Sequence, residues 1–221
     1  MAKLSTFWRS SASYRVRIAL NVKDIPHELE LVHFRKDGGQ HKTPEFTAKN
    51  PQQLLPLWEE KVDENGEESS WALNQSLAII EYLDARHPEP KLIPADLRAA
   101  AEVRALSQEI ACDIHPLNNL RVLGYLRNTL GVEEEQVNTW YRHWVELGFG
   151  ALETRLSQTA GDYSYGDELT MVDCCLVPQV YNALRFNVDV TAFPTITAVT
   201  DRLEQLPAFI NARPENQPDA E

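Results

Sequence analysis

Three prolines fall within the eleven residues from His87 to Leu97 (HPEPKLIPADL), and the sequence follows different periodicities on either side of them. A proline removes a backbone donor and biases the residue before it away from helical geometry. This stretch therefore stops one helix, runs extended and delays the next. It divides the 221 residues into a mixed α/β stretch over 1–86, a linker over 87–97 and a helical stretch over 98–221. A chain of this length can bury a real core as one large domain or two small ones.

In the first part, Lys3 to Trp8 alternates as a short strand and Ser13 to Lys23 reads as a helix with Val16, Ala19 and Leu20 on one face. His27 to Val32 alternates again, with Leu29 and Leu31 on one side and Glu28 and Glu30 on the other. A second helix is expected around Pro44 to Lys49. Two strands, Leu57 to Glu60 and Ser70 to Leu73, then flank a polar segment whose Asn65-Gly66 is a hairpin turn signal. Ser76 to Arg86 is helical, which gives the order β-α-β-α-β-β-α. From Arg98 onward the strand signals vanish. Helices are expected near 98–111, 116–130, 134–158, 171–187, 195–204 and 207–212, with a polar, loosely held tail after Pro214. Thr170 and Asp173 stand at capping-box spacing and read as a folding signal.

The formal charge is −12, but it is unevenly spread. Residues 1–58 sum to +4, residues 59–68 (EEKVDENGEE) to −5 and residues 88–221 to −10. Without a clustered basic face, nucleic acid and anionic membrane are poor partners. Lys3, Arg9, Arg15 and Arg17 interrupt any apolar signal-peptide core, and no apolar run is long enough to span a membrane. Cys112, Cys174 and Cys175 have no CxxC spacing, and the six histidines show no ligand spacing. Neither disulfides nor a metal are therefore expected, and a reducing cytoplasm is the expected location. No GxGxxG or GxxxxGK[ST] loop occurs to cradle a nucleotide.

The segment Arg9-Ser10-Ser11-Ala12-Ser13 joins the first strand to the first helix. Hydroxyls and free N–H groups at a helix start suit an anion or a thiolate, although simple serine capping explains one of the three serines. Gln75-Ser76 repeats that arrangement at a later helix start, again as a cap, an anion site or both. Leu55-Pro56 precedes a strand; a cis bond there would leave the Leu55 backbone able to pair with a ligand strand-fashion, trans being the default for X-Pro. Arg121 and Arg185 continue apolar stripes set by Leu117 and by Val177 and Tyr181. They read either as structural ion pairs or as a carboxylate clamp. His115 and Asn119 fall at i, i+4, and Cys174 and Cys175 sit in an apolar helix as core.

Taken together, FWRSSASYRVRIAL, NPQQLLP, NQSLAIIEYL, CDIHPLNN, GDELTMVDCCLVPQVYNALRFNVDV and the final NQPD resemble the zeta class of glutathione transferases. Within it they resemble the bacterial maleylacetoacetate and maleylpyruvate isomerases. The resemblance spans nearly the whole chain and is specific in its order and spacing. It implies a thioredoxin-like glutathione-binding domain followed by an all-α domain, usually paired as a homodimer. It also implies glutathione as cofactor and an anionic maleyl dicarbonyl acid as substrate, in aromatic amino acid catabolism. Carried over by position, Ser10 and Ser11 are the catalytic serines, with Ser11 facing the glutathione sulfur. Ala12, Ser13, His41, Leu55, Gln75, Ser76, His115 and Asn119 are further glutathione contacts. Arg9, Arg121 and Arg185 look like the substrate-carboxylate clamp.

The expected reaction is glutathione-dependent conversion of maleylacetoacetate to fumarylacetoacetate by thiolate addition, rotation and elimination. Maleylpyruvate isomerisation, a general zeta-class transferase and a non-catalytic glutathione-binding module are the alternatives. KDGGQH and VRIAL lean towards the tyrosine-catabolic enzyme, while the arginines serve either isomerase. Two features depart from the pattern. Ala12 replaces the cysteine of the SSCS form, so no protein thiol stands there, and the acidic stretch Glu59 to Ser70 is long where many relatives have a tight hairpin.

Overall fold

The computed structural model describes residues 1–64 and 67–221. The expected Asn65-Gly66 turn lies outside the described residues. The chain forms two compact units, Met1–Pro90 with Pro207–Glu221 and Lys91–Leu206.

The first unit holds a four-stranded sheet in the order β2-β1-β3-β4, built from β1 (Lys3–Thr6), β2 (Glu28–Leu31), β3 (Leu57–Glu64) and β4 (Glu67–Asn74). β1 and β2 run parallel, which requires a crossover, and helix α1 (Ser11–Val22) supplies it. β3 is antiparallel to both β1 and β4, with Trp58 opposite Leu4 and Leu73. Short α2 (Pro44–Lys49) leads into β3, and α3 (Ser76–Arg86) follows β4. The thioredoxin-like β-α-β-α-β-β-α order is therefore present. Leu4, Leu57 and Trp58 of the sheet, Val16, Ile18 and Leu20 of α1, and Ile79, Ile80 and Leu83 of α3 are all fully buried. The alternation expected in β2 does not set its buried face: Leu29 and Leu31 are 37% and 42% exposed, whereas Glu30 is half-buried and accepts from Ser5 Oγ.

The second unit is helical: α4 (Leu97–Gln108), a π-helical turn Glu109–Ile114, a 3-10 turn His115–Asn118, α5 (Leu120–Asn128), α6 (Glu134–Thr159), α7 (Met171–Arg185) and α8 (Pro194–Leu203). Every residue from Met171 to Val180 is buried, Cys174 and Cys175 included, so α7 is the central core helix. Its start carries the expected capping box. Asp173 accepts from Thr170 N at 2.7 Å and also from Ser164 N at 2.9 Å, satisfying N–H groups that the helix itself cannot. Burial nonetheless pushes the Asp173 carboxyl up from its ordinary range.

Two expectations are corrected. The helix expected over 116–130 begins only at Leu120. Asn119 adopts an extended conformation (φ −68°, ψ 147°) and caps α5 by accepting from Arg121 N at 3.1 Å. The residues after Leu206, expected in the helical domain with a loose tail, belong to the first unit. There α9 (Pro207–Ala212) packs on α1, Gln217 is buried, and the tail makes side-chain contacts with the β1–α1 loop.

Candidate active site

α1 begins at Ser11, two residues earlier than the pattern suggested, and Ser10 is its N-cap, with its Oγ accepting from Ser13 N at 3.2 Å. One serine therefore does the capping, as the simple reading allowed. Ser11 and Ser13 are buried at 7% and 0% exposure, and Ala12 is half-buried between them. No acidic residue occupies the first turn of α1, so no side chain of the helix competes with an incoming anion for its positive end. α3 starts in the same condition. Its first turn carries no acid, and Gln75, at φ 70°, makes no side-chain cap, so its N-terminal donors stay available. Ser76 at that start is buried and accepts from the Arg15 guanidinium at 3.2 Å, tying α3 to α1.

Three loops of this unit share one small core of Phe7, Trp8, Val32, Phe46, Leu55 and Leu57, with Phe34 packed against it. Phe7 and Trp8 hold the β1–α1 loop, Phe34 the stretch after β2, and Leu55 the turn before β3. The Leu55-Pro56 peptide is cis, and ladder pairing of β3 begins at Leu57, opposite Ser5 and Asn74. Phe34 meets His41 edge-on at 4.7 Å. Gly39, at φ 104°, allows that approach, since a methyl group there would lie 2.8 Å from His41 Cε1 and 3.0 Å from the Phe34 carbonyl oxygen. His41 is buried with its Nδ1 lacking a hydrogen-bond partner among the described residues. Burial first, and the Lys42 charge second, hold its imidazole below the ordinary histidine range and keep it neutral.

Sequence reasoning passed over Asn50, which organises the loop before Leu55. It is 1% exposed, donates to Leu54 O at 2.7 Å, and accepts from Gln52 N at 3.2 Å and Asn74 Nδ2 at 3.1 Å. Gln52 in turn accepts from Gln75 Nε2 at 3.0 Å, so the side chain of one expected site residue is oriented by this network. An asparagine before a proline after a helix reads as an ordinary turn residue, and only the fold shows that its three bonds converge.

In the second unit, Asn119 Nδ2 lies 3.4 Å from His115 Nε2. The pair meets across the 3-10 turn and the α5 cap rather than on one continuous helix face. Arg121 and Arg185, expected on inward stripes, are both exposed. The break at Asn119 takes Arg121 out of phase with Leu117. Arg185 is the last residue of α7, where its guanidinium lies over the rings of Tyr181 and Phe186 at 5.9 Å each. Buried structural ion pairs are thus overturned for both. Arg9 is likewise exposed and lies over the Trp8 ring at 4.0 Å. Among the described residues these three arginines have no carboxylate partner, whereas Arg86, Arg127, Arg142, Arg155 and Arg202 are each paired with an acid. Stacking orients a guanidinium and leaves its N–H fork available for a carboxylate. No group of three metal-binding side chains occurs among the described residues. No described helix is long and apolar enough to cross a membrane.

Comparison with known proteins places the chain in a family. Residues 4–91 match the family model of the glutathione S-transferase N-terminal domain, and residues 124–211 that of the C-terminal domain. The chain is 52% identical to a probable maleylacetoacetate isomerase of Vibrio cholerae over 214 residues, covering 97% of this chain and 96% of that protein. A solved holo structure of maleylpyruvate isomerase, a bacterial zeta-class glutathione S-transferase, superposes with a TM-score of 0.89 at 46% identity. That match covers 99% of this chain and 100% of the other. The maleylacetoacetate isomerase of Anaeromyxobacter dehalogenans, solved with glutathione in its active site, gives a TM-score of 0.87 at 38% identity, over 100% and 98% of the two chains.

Proposed function

This chain belongs to the glutathione S-transferase family, and on that premise we propose that it is a zeta-class, glutathione-dependent cis–trans isomerase acting on maleylacetoacetate. The observation that carries the reading is the start of α1, with a serine cap, two buried serines in the first turn and no acid there. It is joined by full-length similarity to proteins named for this reaction.

The residues present suit an anionic thiol tripeptide. Two acid-free helix starts, a neutral buried imidazole with an unpartnered nitrogen, and a backbone turn ahead of β3 supply donors suited to an anion. We assign Ser10, Ser11, Ala12, Ser13, His41, Leu55, Gln75, Ser76, His115 and Asn119 to holding glutathione. Arg9, Arg121 and Arg185 are assigned to the substrate carboxylates. Glutathione, when bound, supplies the thiolate nucleophile that the chain lacks at Ala12, adding to and leaving the conjugated double bond so that it can rotate. Ser11 donates its hydroxyl proton as a hydrogen bond to that sulfur, and the N-terminus of α1 lowers the cost of keeping it ionised. The arginines orient the substrate and stabilise the negative charge that develops on its carbonyl oxygen, a contribution of the order of a few kcal/mol per donor.

The 46% identity to maleylpyruvate isomerase, with the same arginine set available, supports a second reading in which maleylpyruvate is the substrate. A homodimer and a cytoplasmic location belong to the same proposal; three cysteines without disulfide-framework spacing support the latter. The test is a spectrophotometric assay of both maleyl compounds with and without glutathione, on the parent enzyme and on Ser11→Ala. The expected result is glutathione-dependent turnover that Ser11→Ala lowers by about a hundredfold, of the order found for a lost transition-state donor. Turnover without glutathione, or full activity in Ser11→Ala, would refute the mechanism.

A further inference from the structure

β1 ends at Thr6, so the peptide groups of Phe7, Trp8 and Arg9 leave the sheet four residues before the buried Ser11, and their hydrogen bonds must come from elsewhere. For Phe7 and Trp8, two side chains and the Ser10 N–H supply them. The Trp8 N–H donates to Asp219 Oδ2 at 3.0 Å, across 211 residues of sequence. The Trp8 carbonyl accepts from Arg17 Nη2 at 3.0 Å, and the Phe7 carbonyl accepts from Arg17 Nη1 at 3.3 Å and from Ser10 N at 2.9 Å. Arg17, 3% exposed, also donates to Thr6 Oγ1 at 3.1 Å and through two nitrogens to Ala212 O, each at 3.1 Å. Both backbone polar groups of Trp8 are thus fixed, one by the interior of α1 and one by the segment that follows α9, while its buried indole Nε1 finds no partner among the described residues.

That segment is itself held in place. Gln217 is 8% exposed and donates to the carbonyls of Asn211 and Arg213 at 2.9 Å each, Asn216 donates to Ile210 O at 2.7 Å, and Pro214 is buried. Asp219 is therefore delivered to Trp8 by built structure. Two residues on, Glu221 pairs with Lys36 at 2.9 Å and lies 3.3 Å from His33 Nε2, in the stretch that leads to His41. His33 Nδ1 accepts from Arg35 N and Lys36 N at 2.9 and 3.0 Å, so its ring proton resides on Nε2, facing Glu221. The segment Pro207–Glu221 thus straps two loops that carry expected glutathione contacts, and it contains none of those contacts itself.

We propose that Asp219 is a positioning residue for the thiol-stabilising turn. Its carboxylate anchors Trp8, and through Trp8 it sets the place of Ser10 and Ser11 at the start of α1. This assignment rests on the isomerase reading above. A charged acceptor on a part-buried N–H makes a stronger bond than a neutral one, and losing it leaves a donor without a partner. A small drift of a donor away from a developing charge costs rate steeply.

The experiment compares Asp219→Ala and Asp219→Asn with the parent enzyme. It measures kcat and KM for glutathione, the titration of bound glutathione by thiolate absorbance, and amide hydrogen exchange at Trp8 in the ligand-free protein, with circular dichroism to check folding. In Asp219→Ala the expected result is a loss of about tenfold in kcat/KM for glutathione, a thiol that ionises at higher pH, and faster exchange at Trp8. Asp219→Asn, which keeps an acceptor oxygen, should recover most of the activity. Unchanged turnover and thiol titration in a folded Asp219→Ala would overturn the proposal, as would a loss that asparagine does not recover. If the parent enzyme itself isomerises neither maleyl compound, the isomerase reading fails. The anchor is then judged by Trp8 exchange alone, with faster exchange in Asp219→Ala supporting it and unchanged exchange refuting it.

Discussion

Two glycines lie two residues apart in the interior of α6, and the structure predicts that alanine will have opposite effects at them. Gly150 is exposed and nothing would lie within 4 Å of an added methyl group. Gly148 faces Ile114, whose Cδ1 would be 2.6 Å from that methyl and whose Cγ1 would be closer still. Replacing glycine by alanine inside a helix is worth about 1 kcal/mol in backbone terms at either position. At Gly150 that gain stands alone. At Gly148 it meets an overpacking cost near the upper end of about 1–3 kcal/mol. Carbon atoms prefer roughly 3.5–4.0 Å, so Ile114 must move by about an ångström, and it is 2% exposed within the π-helical turn. The net expectation is about 1 kcal/mol of stabilisation for Gly150→Ala and about 2 kcal/mol of destabilisation for Gly148→Ala. For a chain of this size the roughly 3 kcal/mol between them corresponds to about 6–12 °C in Tm. Thermal unfolding of the two variants side by side is the assay. On the proposed assignment of His115, which directly follows Ile114, to glutathione, Gly148→Ala should also raise the KM for glutathione, and Gly150→Ala should leave kinetics unchanged. Equal shifts in Tm of the same sign would refute the packing argument.

Lys23 offers a second test. Its fully buried ammonium pairs with Asp84 at 2.7 Å and donates to His87 O and Pro90 O at 2.8 and 2.7 Å, so Lys23→Met should cost about 3 kcal/mol in urea unfolding. Adding Asp84→Leu should return at least half of that, and a double variant no better than the single one would contradict the reasoning. His41 gives a pH test. Its folded-state imidazole titrates below the ordinary value of about 6.5, so its contribution to stability is fully present above that pH and is lost as pH falls from there through the folded value. His41→Gln should therefore lose less stability than the parent protein between about pH 7.5 and 5.5, and identical losses would remove His41 as the cause.

How much of this was legible beforehand depended on how local each signal is. The helix α1, the capping box at Thr170 and Asp173 and the buried cysteines of α7 are written in stretches of a few residues, and they appear in the structure, α1 beginning two residues earlier than read. The serines and Gln75-Ser76 could be placed at helix starts for the same reason. Arg121 and Arg185 were misread because periodicity was extended through Asn119 and to the last residue of α7, where helical phase no longer decides burial. Asn50, Arg17 and Asp219 escaped altogether. Each acts through backbone groups far away in sequence, and no pattern of residue types announces a hydrogen bond across 211 positions.

The same contrast resolves how an acidic chain can take two anionic ligands. Net charge of −12 governs the long-range field, which falls off within about a Debye length of 10 Å, whereas a bound carboxylate or thiolate responds to the donors that touch it. Several acids are spent on other cations: Glu60 on Arg86, Glu134 on Arg127, Glu135 on Arg142, Glu109 on Arg155 and Asp162 on Arg202. They are kept out of the first turns of α1 and α3. Asp219 is the acid nearest in bonding to the proposed thiol turn, and its charge works against a thiolate while its hydrogen bond works for the geometry. Asp219→Asn separates the two effects. If positioning dominates, the asparagine variant keeps most of the parent's turnover and its bound thiol ionises at the same or a slightly lower pH; a thiol that ionises at markedly higher pH in that variant would overturn the positioning role.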